Sequence, residues 1–195
     1  LTDFLFSSAR ASEIPSSVKI SPKERLDAAG KSLPENRRLP AFIEMLSMAE
    51  GSNKHGFNTN FGNRFIPELS EFPNKPRQFS FAETNGKTNT TSAAGIGQFM
   101  HDTWNNNLVP KLGLTDFSPD SQIRGIAELI SQKDALQDVL NGNWSSAISK
   151  TKGTWASFPE SPYPQKKRTW SDMSGFAEAS AQRTKEGKTW FDKAY

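Results

Sequence analysis

The most regular hydrophobic pattern of the chain lies in residues 41–50, which read AFIEMLSMAE. Pro40 stands just before this run, and proline is favoured at the first position of a helix because it lacks an N–H that would be unpaired there anyway. Gly51 follows the run, and glycine commonly ends helices because it adopts a left-handed backbone at no steric cost. The pattern predicts a helix that begins at Pro40 and ends before Gly51.

Helical spacing returns in the second half of the chain. Ser118 and Pro119 are typical of a helix start, and the apolar residues after them recur at intervals of three and four. Shorter helices are predicted over 136–140 and from Trp144, and a loosely helical segment over 166–183.

Residues 52–90 have a different composition, with many Gly, Asn, Thr, Pro and Phe residues. They read as loops with a few short strands. Phe79 and Phe81 alternate with polar residues, and Asn85-Gly86 is typical of a hairpin turn. We therefore expect an α+β protein with a mainly helical body and a small strand-rich lobe inserted after the first strong helix.

The N-terminal residues 1–36 are rich in Ser and Pro and have weak periodicity. We interpret residues 1–39 as an N-terminal arm or linker, in which Lys23 to Lys31 could form one short helix. On this interpretation, a chain that starts near Arg37 should still fold and act. Residues 171–195 are expected to form a C-terminal helical extension.

The charge of the chain is unevenly distributed. The net charge is +3, with +2 in residues 1–39, −2 in residues 40–162 and +3 in residues 163–195. Basic flanks suit a polyanionic partner, although solvated termini explain charges this small equally well. The acidic middle and the lack of basic residues interleaved with aromatic ones argue against nucleic acid as a partner. No run of 18 apolar residues is present, so no membrane insertion is expected.

Cysteine and histidine restrict the possible chemistry. The chain has no Cys and only two His, His55 and His101, which lie 46 residues apart. Disulfides, thiol nucleophiles and Cys-ligated metals are excluded, and a His-rich metal site is not expected. No Gly-x-Ser-x-Gly motif is present to support a serine nucleophile. We expect no metal or cofactor.

Glu50 is an unusual carboxylate because it lies on the apolar face of the first strong helix. On a wheel of about 100° per residue it falls between Leu46 and Ile43, whereas Glu44 points elsewhere and is interpreted as surface charge. Glu50 is also the last residue before Gly51, at the negative end of the helix dipole. Burial and the dipole should both raise the pKa of Glu50, as a general acid requires. The alternative is a frayed helix end that turns Glu50 to water.

A second candidate segment is TTSAAGIGQF, residues 90–99. Gly95 and Gly97 allow a ligand to approach the backbone closely, and Gln98 can both donate and accept hydrogen bonds, as sugar hydroxyl and N-acetyl groups require. Small residues lead into what we interpret as a helix start at Gln98. The Gly-x-Gly is not a dinucleotide-binding motif because its third Gly and its preceding strand are missing.

These segments, taken in order, resemble the family of the bacteriophage lambda lysozyme, small phage enzymes that cut peptidoglycan as lytic transglycosylases. The resemblance runs collinearly over about residues 40–170, which we take as the catalytic domain. It rests on AFIEML, AEG, HGF, LSEFP, SAAGIGQF, Trp104, LGLTDFSPDSQ and WASFP, with Tyr163 and Gln165 after them.

The resemblance implies a lysozyme-like α+β fold with a cleft between body and lobe, and it places Glu50 on the family's catalytic glutamate. It implies that Gln98 and Tyr163 line the sugar groove. Further substrate-binding residues are expected by position, namely Ser52, Asn53, Gly95, Gly97 and Phe99. Three aromatic residues are interpreted as core rather than groove: Trp104, Trp155 and Phe158.

The reaction depends on whether a second carboxylate exists. A glycoside hydrolase needs two, and none of Glu68, Glu71 and Glu83 pairs with Glu50 at a readable spacing. Asn58 stands where the family pattern would lead us to expect an acid. A lytic transglycosylase needs only one carboxylate, because the 6-hydroxyl of N-acetylmuramic acid attacks and yields a 1,6-anhydromuramic end. The alternatives are a water-using muramidase and an inactive peptidoglycan-binding module.

The expected partner is the glycan strand of bacterial peptidoglycan. The chain is expected either to be virion-associated, as a piece of a larger virion protein, or to be released to the host periplasm and cell wall.

Overall fold

The computed structural model describes residues 19–73, 77–79 and 89–195. Eight α-helices are present in this part of the chain: α1 (Pro22–Lys31), α2 (Glu35–Glu50), α3 (Val109–Leu112), α4 (Pro119–Ser131), α5 (Leu136–Leu140), α6 (Trp144–Thr151), α7 (Trp170–Lys185) and α8 (Trp190–Ala194). Four short strands lie between α2 and α3: β1 (Thr59–Asn60), β2 (Arg64–Phe65), β3 (Arg77–Phe79) and β4 (Asn89–Thr91). A 3₁₀ turn at Gly56–Asn58 and a π-helix at Thr103–Leu108 complete them. The predicted mainly helical α+β fold is confirmed.

Helix α2 starts five residues earlier than predicted. Pro34 takes an extended backbone before the helix, and Pro40 lies inside it, where one backbone hydrogen bond is necessarily missing. The first turn, ENRRL, carries no apolar period, so the hydrophobic pattern did not reveal it. The end of the helix is as predicted, because Gly51 caps it in the left-handed conformation, with φ of 72°.

Helix α1 differs from the predicted arm because it packs in the same core as the rest of the body. Ser21 caps the helix and Glu24 bonds back to the backbone of Ser21, which is a complete capping box. Leu26 is fully buried, and the helix lies against α6 and α7. Residues 22–39 are therefore part of the folded body. Residues 1–18 of the predicted arm lie outside the described residues.

The predicted C-terminal extension is helical, and it also packs on the body. Helix α7 lies against α1 and α2 and buries Met173, Ala177 and Ala181. Glu44 of α2, interpreted from the sequence as surface charge, is instead 2% exposed and forms an ion pair with Arg183. The single-helix wheel could not show this contact because its partner comes from 139 residues further along the chain.

The strand-rich lobe consists of two antiparallel pairs. Strand β1 pairs with β2, and β3 pairs with β4 with Gln78 opposite Thr90. Isolated bridges from Ala94 to Asn60 and to Phe99 join the lobe to the loop that follows β4. Phe81 and the predicted Asn85-Gly86 turn lie outside the described residues.

The core continues under the lobe as a cluster of buried aromatic rings. Phe72, Phe99, Trp104 and Phe117 lie edge-to-face or stacked, with ring centres 4.6 to 6.1 Å apart. Trp104, predicted as core, is in its centre. In the part of the chain that the structure describes, no helix has the length and apolarity to cross a membrane.

Candidate active site

A cavity of about 540 Å³ opens where the end of α2 meets the lobe. Its walls come from four places in the sequence: the end of α2, the turn between β1 and β2, the segment from the end of β4 to Met100, and the loop between α6 and α7. The lining residues are Ala49, Glu50, Phe61, Thr91, Ala93, Gln98, Met100, Thr154, Trp155, Ala156, Ser157, Tyr163, Gln165, Lys166 and Arg168. The predicted cleft between body and lobe is thus present.

Glu50 enters this cavity from the last position of α2. Its Oε1 accepts a hydrogen bond of 2.6 Å from the hydroxyl of Ser157. Burial of the carboxylate raises the pKa of Glu50, and the hydrogen bonds from Ser157 and the positive charge of Arg168 offset part of that rise. The predicted direction of the pKa shift is confirmed, and burial is its largest cause.

Two residues of the loop after α6 hold the end of α2 in place. The backbone N–H of Arg168 donates to the carbonyl of Ser157 at 2.7 Å, and the Nε of Arg168 donates to the carbonyl of Ala49 at 3.1 Å. The guanidinium of Arg168 also lies 5.5 Å from the ring centre of Phe176. The hydroxyl that bonds to Glu50 and the cation beside it are therefore fixed by the same loop.

Gln98 lines the cavity from a tight turn, and not from the helix start that the sequence predicted. Its φ is 49°, in the left-handed region that non-glycine residues rarely adopt. Its backbone N–H and its Nε2 both donate to the carbonyl of Gly95, at 3.2 and 2.9 Å. The strained turn directs this amide side chain to the cavity wall.

Gln122 of α4 anchors the same turn from the core. This fully buried amide accepts from the N–H of Ile96 and donates to the carbonyls of Phe57 and Phe117, at 2.8 to 3.0 Å. A Cβ at Gly95 would clash with Gln122 Oε1, so the close approach requires glycine. Gly95 therefore shapes the turn from outside the cavity lining.

Three of the predicted site residues line the cavity together: Glu50, Gln98 and Tyr163. Tyr163 is 43% exposed and its hydroxyl donates to the carbonyl of Gly153 at 2.9 Å. Trp155 is buried, as predicted, yet it forms part of the wall, and its indole N–H donates to the carbonyl of Gly97.

The other predicted binding residues do not line the cavity. Ser52 is fully buried and its hydroxyl donates to the carbonyl of Ile96 at 2.6 Å. Asn53 is absent from the cavity lining, and its backbone carbonyl accepts from the indole of Trp190. Phe99 belongs to the aromatic core, and Gly97 contributes its carbonyl to Trp155. Closeness to Glu50 or Gln98 in the sequence misled the prediction, because the chain reverses sharply after both residues.

Sequence reasoning missed several cavity residues. Ser157 lies in the WASFP segment used for the resemblance, but nothing in that segment indicates that its hydroxyl reaches Glu50. The remaining residues without a sequence signal are Phe61, Met100, Thr154, Lys166 and Arg168. They can be identified only from the structure, in which distant segments of the sequence lie next to one another.

Glu50 is the sole acidic residue that lines the cavity in the described part of the chain. Glu68 and Glu71 are exposed and lie outside the lining, and Glu83 lies outside the described residues. Asn58 forms two hydrogen bonds within the lobe. Its side-chain amide donates to the carbonyl of Ile66 at 2.8 Å, and its backbone carbonyl accepts from the N–H of Ile66.

Residues 19–73, 77–79 and 89–195 contain no cluster of three His, Asp or Glu side chains that could hold a metal ion.

Comparison with known protein families matches the chain to the Endolysin family over residues 40–182. The endolysin of Escherichia phage P2 is 30% identical over 146 residues, which cover 69% of this chain and 87% of the relative. The endolysin of Escherichia phage lambda is 30% identical over 137 residues, which cover 67% of this chain and 82% of the relative.

Two solved structures of the bacteriophage lambda lysozyme have the same fold. One of them, a complex with a chitohexasaccharide, superposes with a TM-score of 0.67 at 25% identity and covers 74% of this chain and 94% of the relative. The other superposes with a TM-score of 0.60 at 25% identity and covers 77% and 94%. The family match, the two relatives and the shared fold lead to one conclusion: the chain belongs to the Endolysin family and has a lysozyme-like fold.

Proposed function

We propose that this endolysin cleaves the glycan strands of bacterial peptidoglycan at the β-1,4 bond from N-acetylmuramic acid to N-acetylglucosamine, as a lytic transglycosylase. The observation that carries the proposal is the cavity with one carboxylate. Among the described lining residues only Glu50 is acidic. Hydrolysis by a pair of carboxylates would need a second acid on the other side of the scissile bond.

Glu50 acts first as the general acid. Its raised pKa keeps the carboxyl protonated closer to neutral pH, so that it can give its proton to the glycosidic oxygen as the bond to the muramic C1 breaks. The released N-acetylglucosamine then carries a new 4-hydroxyl. The hydroxyl of Ser157 and the charge of Arg168 stabilise the carboxylate that results.

The nucleophile in this scheme is part of the substrate. The 6-hydroxyl of the same muramic residue forms a bond to C1 and returns its proton to Glu50, which restores the acid. No water is consumed, and the product is a 1,6-anhydromuramic end. An intramolecular hydroxyl has an effective concentration far above that of a poorly placed water, so no second protein group is needed to activate it.

The walls of the cavity suit sugar rings and their N-acetyl groups. Phe61 and Tyr163 offer aromatic surface, and the amides of Gln98 and Gln165 offer donors and acceptors. The chitohexasaccharide bound by the lambda lysozyme, a relative with the same fold, supports a glycan as ligand. Because a relative with the same fold binds a glycan, we also propose that this chain acts at the host cell wall.

Analysis of the products tests the reaction. Purified sacculi are digested with the wild-type chain and with Glu50→Gln, and the soluble fragments are examined by mass spectrometry. We expect anhydromuramic ends, no gain in reducing ends, and no release by Glu50→Gln. New reducing ends in proportion to cuts would identify a water-using muramidase, and no release by the wild type would identify a binding module.

A chemically blocked substrate gives a second, independent test. Sacculi whose muramic 6-hydroxyls are O-acetylated should resist the wild-type chain, because the nucleophile is masked. Removal of the acetyl groups by mild base should restore cleavage. A hydrolase would instead be limited only by the bulk of the acetyl group and would not depend on a free 6-hydroxyl.

A further inference from the structure

Two cations line the cavity, and one of them is already committed to holding the site together. Arg168 bonds to the carbonyl of Ala49, lies over the ring of Phe176 and acts on the pKa of Glu50. Its position is thus explained by the architecture around the acid. Lys166, the other cation, is exposed, and the described part of the chain gives its ammonium no ion-pair partner.

Lys166 reaches the cavity from the loop between α6 and α7. Residues 166–169 have no helical or turn structure. Gln165, Lys166 and Arg168 line the cavity, whereas Lys167 does not. Lys166 therefore belongs to the same stretch of wall as Arg168, the cation beside Glu50.

The negative charge of Asp172, which Lys166 influences, does not account for the position of Lys166 at the cavity. The pKa of Asp172 is lowered first by its hydrogen bonds from the backbone N–H and the hydroxyl of Thr169, in the capping box of α7, and only last by the charge of Lys166. Neutral sugar rings offer no negative charge that could pair with a free cation in a sugar-binding wall. Such a cation points to an anionic part of the ligand.

Peptidoglycan carries its negative charge on the stem peptide, which is attached through the lactyl group on O3 of the muramic residue. We propose that Lys166 binds a carboxylate of this stem peptide and so makes the enzyme selective for glycan strands that carry peptides. The proposal rests on the proposed function, since it takes peptidoglycan as the substrate. A lysine suits the role because its flexible stem can follow a mobile peptide.

The test compares Lys166→Met with Lys167→Met, which removes the neighbouring charge outside the cavity. Binding is measured first, in the Glu50→Gln background, with a muropeptide that carries its free stem carboxylates and with the same muropeptide after amidation of those carboxylates. We expect Lys166→Met to weaken binding of the free muropeptide about three- to tenfold and to leave the amidated one unchanged. Lys167→Met should affect both equally or neither.

Cleavage is then measured with active chains on peptide-bearing strands and on strands stripped by an amidase. Lys166→Met should raise KM for peptide-bearing strands with little change in kcat, and the effect should fade at high salt. Equal losses on amidated and free muropeptides, or none on either, would overturn the assignment of Lys166. Because binding is read in an uncleaving background, this result does not depend on whether the reaction is a transglycosylation.

Discussion

Glu50 has an environment in which several effects act on the pKa of one carboxyl group in opposite directions, with burial the largest of them. Burial disfavours its charge, and its place at the last turn of α2 adds the negative end of the helix dipole. Ser157 and Arg168 favour the charge from the cavity wall. An acid that must give a proton and take one back needs both forms to be accessible, and this balance provides that.

The first prediction concerns the cost of this environment to the fold. Because burial raises the pKa of Glu50 in the folded state, its contribution to stability is complete below the ordinary value of 4.5 and is lost as pH rises through the raised pKa. Glu50→Gln removes this titration. We expect the variant to lose at least about 100-fold in cleavage rate and to unfold at a higher temperature than the wild type at neutral pH.

The pH dependence provides the control for this prediction. Melting temperatures of the two chains should converge near pH 4, where Glu50 is protonated, and separate progressively toward pH 8. A constant difference over that range would show that Glu50 has an ordinary pKa in the folded chain.

The second prediction isolates the contribution of Ser157. Ser157→Ala removes the hydrogen bond that favours the charged form, so the pKa of Glu50 should rise further. The alkaline limb of the pH profile of kcat/KM should move to higher pH. Ser149→Ala, which removes a hydroxyl bonded only within α6, is the matched control. A limb that stays in place in Ser157→Ala would contradict the assignment.

The third prediction separates strain from binding at Gln98. Its left-handed backbone costs about 1 kcal/mol for any residue with a Cβ. Gln98→Gly and Gln98→Ala both remove the amide, but only glycine relieves the strain. We expect both variants to lose kcat/KM about two- to tenfold, and Gln98→Gly to be more stable than Gln98→Ala by about 1 kcal/mol in urea unfolding. Equal stabilities would mean that the turn is unstrained.

At the scale of single residues, the sequence singled out Glu50 but only part of its surroundings. Glu50 was recognisable because a carboxylate on an apolar stripe is rare and its helix end was marked by Gly51. Ser157 and Lys166 were not recognisable as cavity residues, because they lie on a loop more than 100 residues from Glu50 in the chain. Ser52 and Phe99 were wrongly placed at the groove, since the direction of a side chain after a sharp turn is not encoded in spacing.

At the scale of elements, α2 is held by contacts with residues that do not line the cavity. Glu44 accepts from Arg183 of α7 at 2.6 Å and from the backbone N–H of Trp190 at 2.9 Å. The ring of Trp190 covers Gly56, where it leaves no room for a Cβ, and its indole bonds to the carbonyl of Asn53. The segment that follows Glu50 is thus fixed by α8.

The fourth prediction tests this contact. Arg183→Met leaves the buried carboxylate of Glu44 without its cation, which should cost about 3 kcal/mol in the free energy of unfolding measured with urea. Arg25→Met breaks the exposed ion pair with Glu178 and should cost less than about 1 kcal/mol. Glu44→Gln in the Arg183→Met background should recover part of the loss. Similar costs for Arg183→Met and Arg25→Met would show that Glu44 reaches water.

Elements with strong local signals were predictable, and those that depend on packing were not. The Ser118 cap of α4 bonds to the N–H of Ser121 as expected from the Ser-Pro start. The first turn of α2 was missed because its residues are mostly polar and exposed or half-buried. Its contacts, Arg37 with Asp192 and Arg38 with the carbonyl of Leu140, are with segments far away in the chain. The same reason explains α1, in which one fully buried leucine is too weak a pattern to indicate a core helix.

At the scale of the whole molecule, α1 and α7 come from opposite ends of the chain and both pack on the helical body. Asp27 of α1 accepts from the backbone N–H and the hydroxyl of Ser145, at 2.7 and 2.9 Å, and so stabilises the start of α6. Gly30 lies directly against the ring of Trp144, where a Cβ would not fit. The family match begins only at Pro40, so this chain builds its body with a helix that precedes the matched region.

The last prediction adds a cost in stability to the expectation that a chain starting near Arg37 should still fold and act. A chain that starts at Arg37 loses Leu26 and Leu33 from the core, and burial of two such side chains is worth about 4 kcal/mol. We expect its urea midpoint to fall well below that of a chain that starts at Lys19, which keeps α1 whole. Every residue that lines the cavity remains in both chains, so cleavage per folded molecule should be equal when it is measured at low temperature on soluble strands. If the midpoints coincide, α1 contributes nothing to stability, and its contacts with α6 and α7 are incidental.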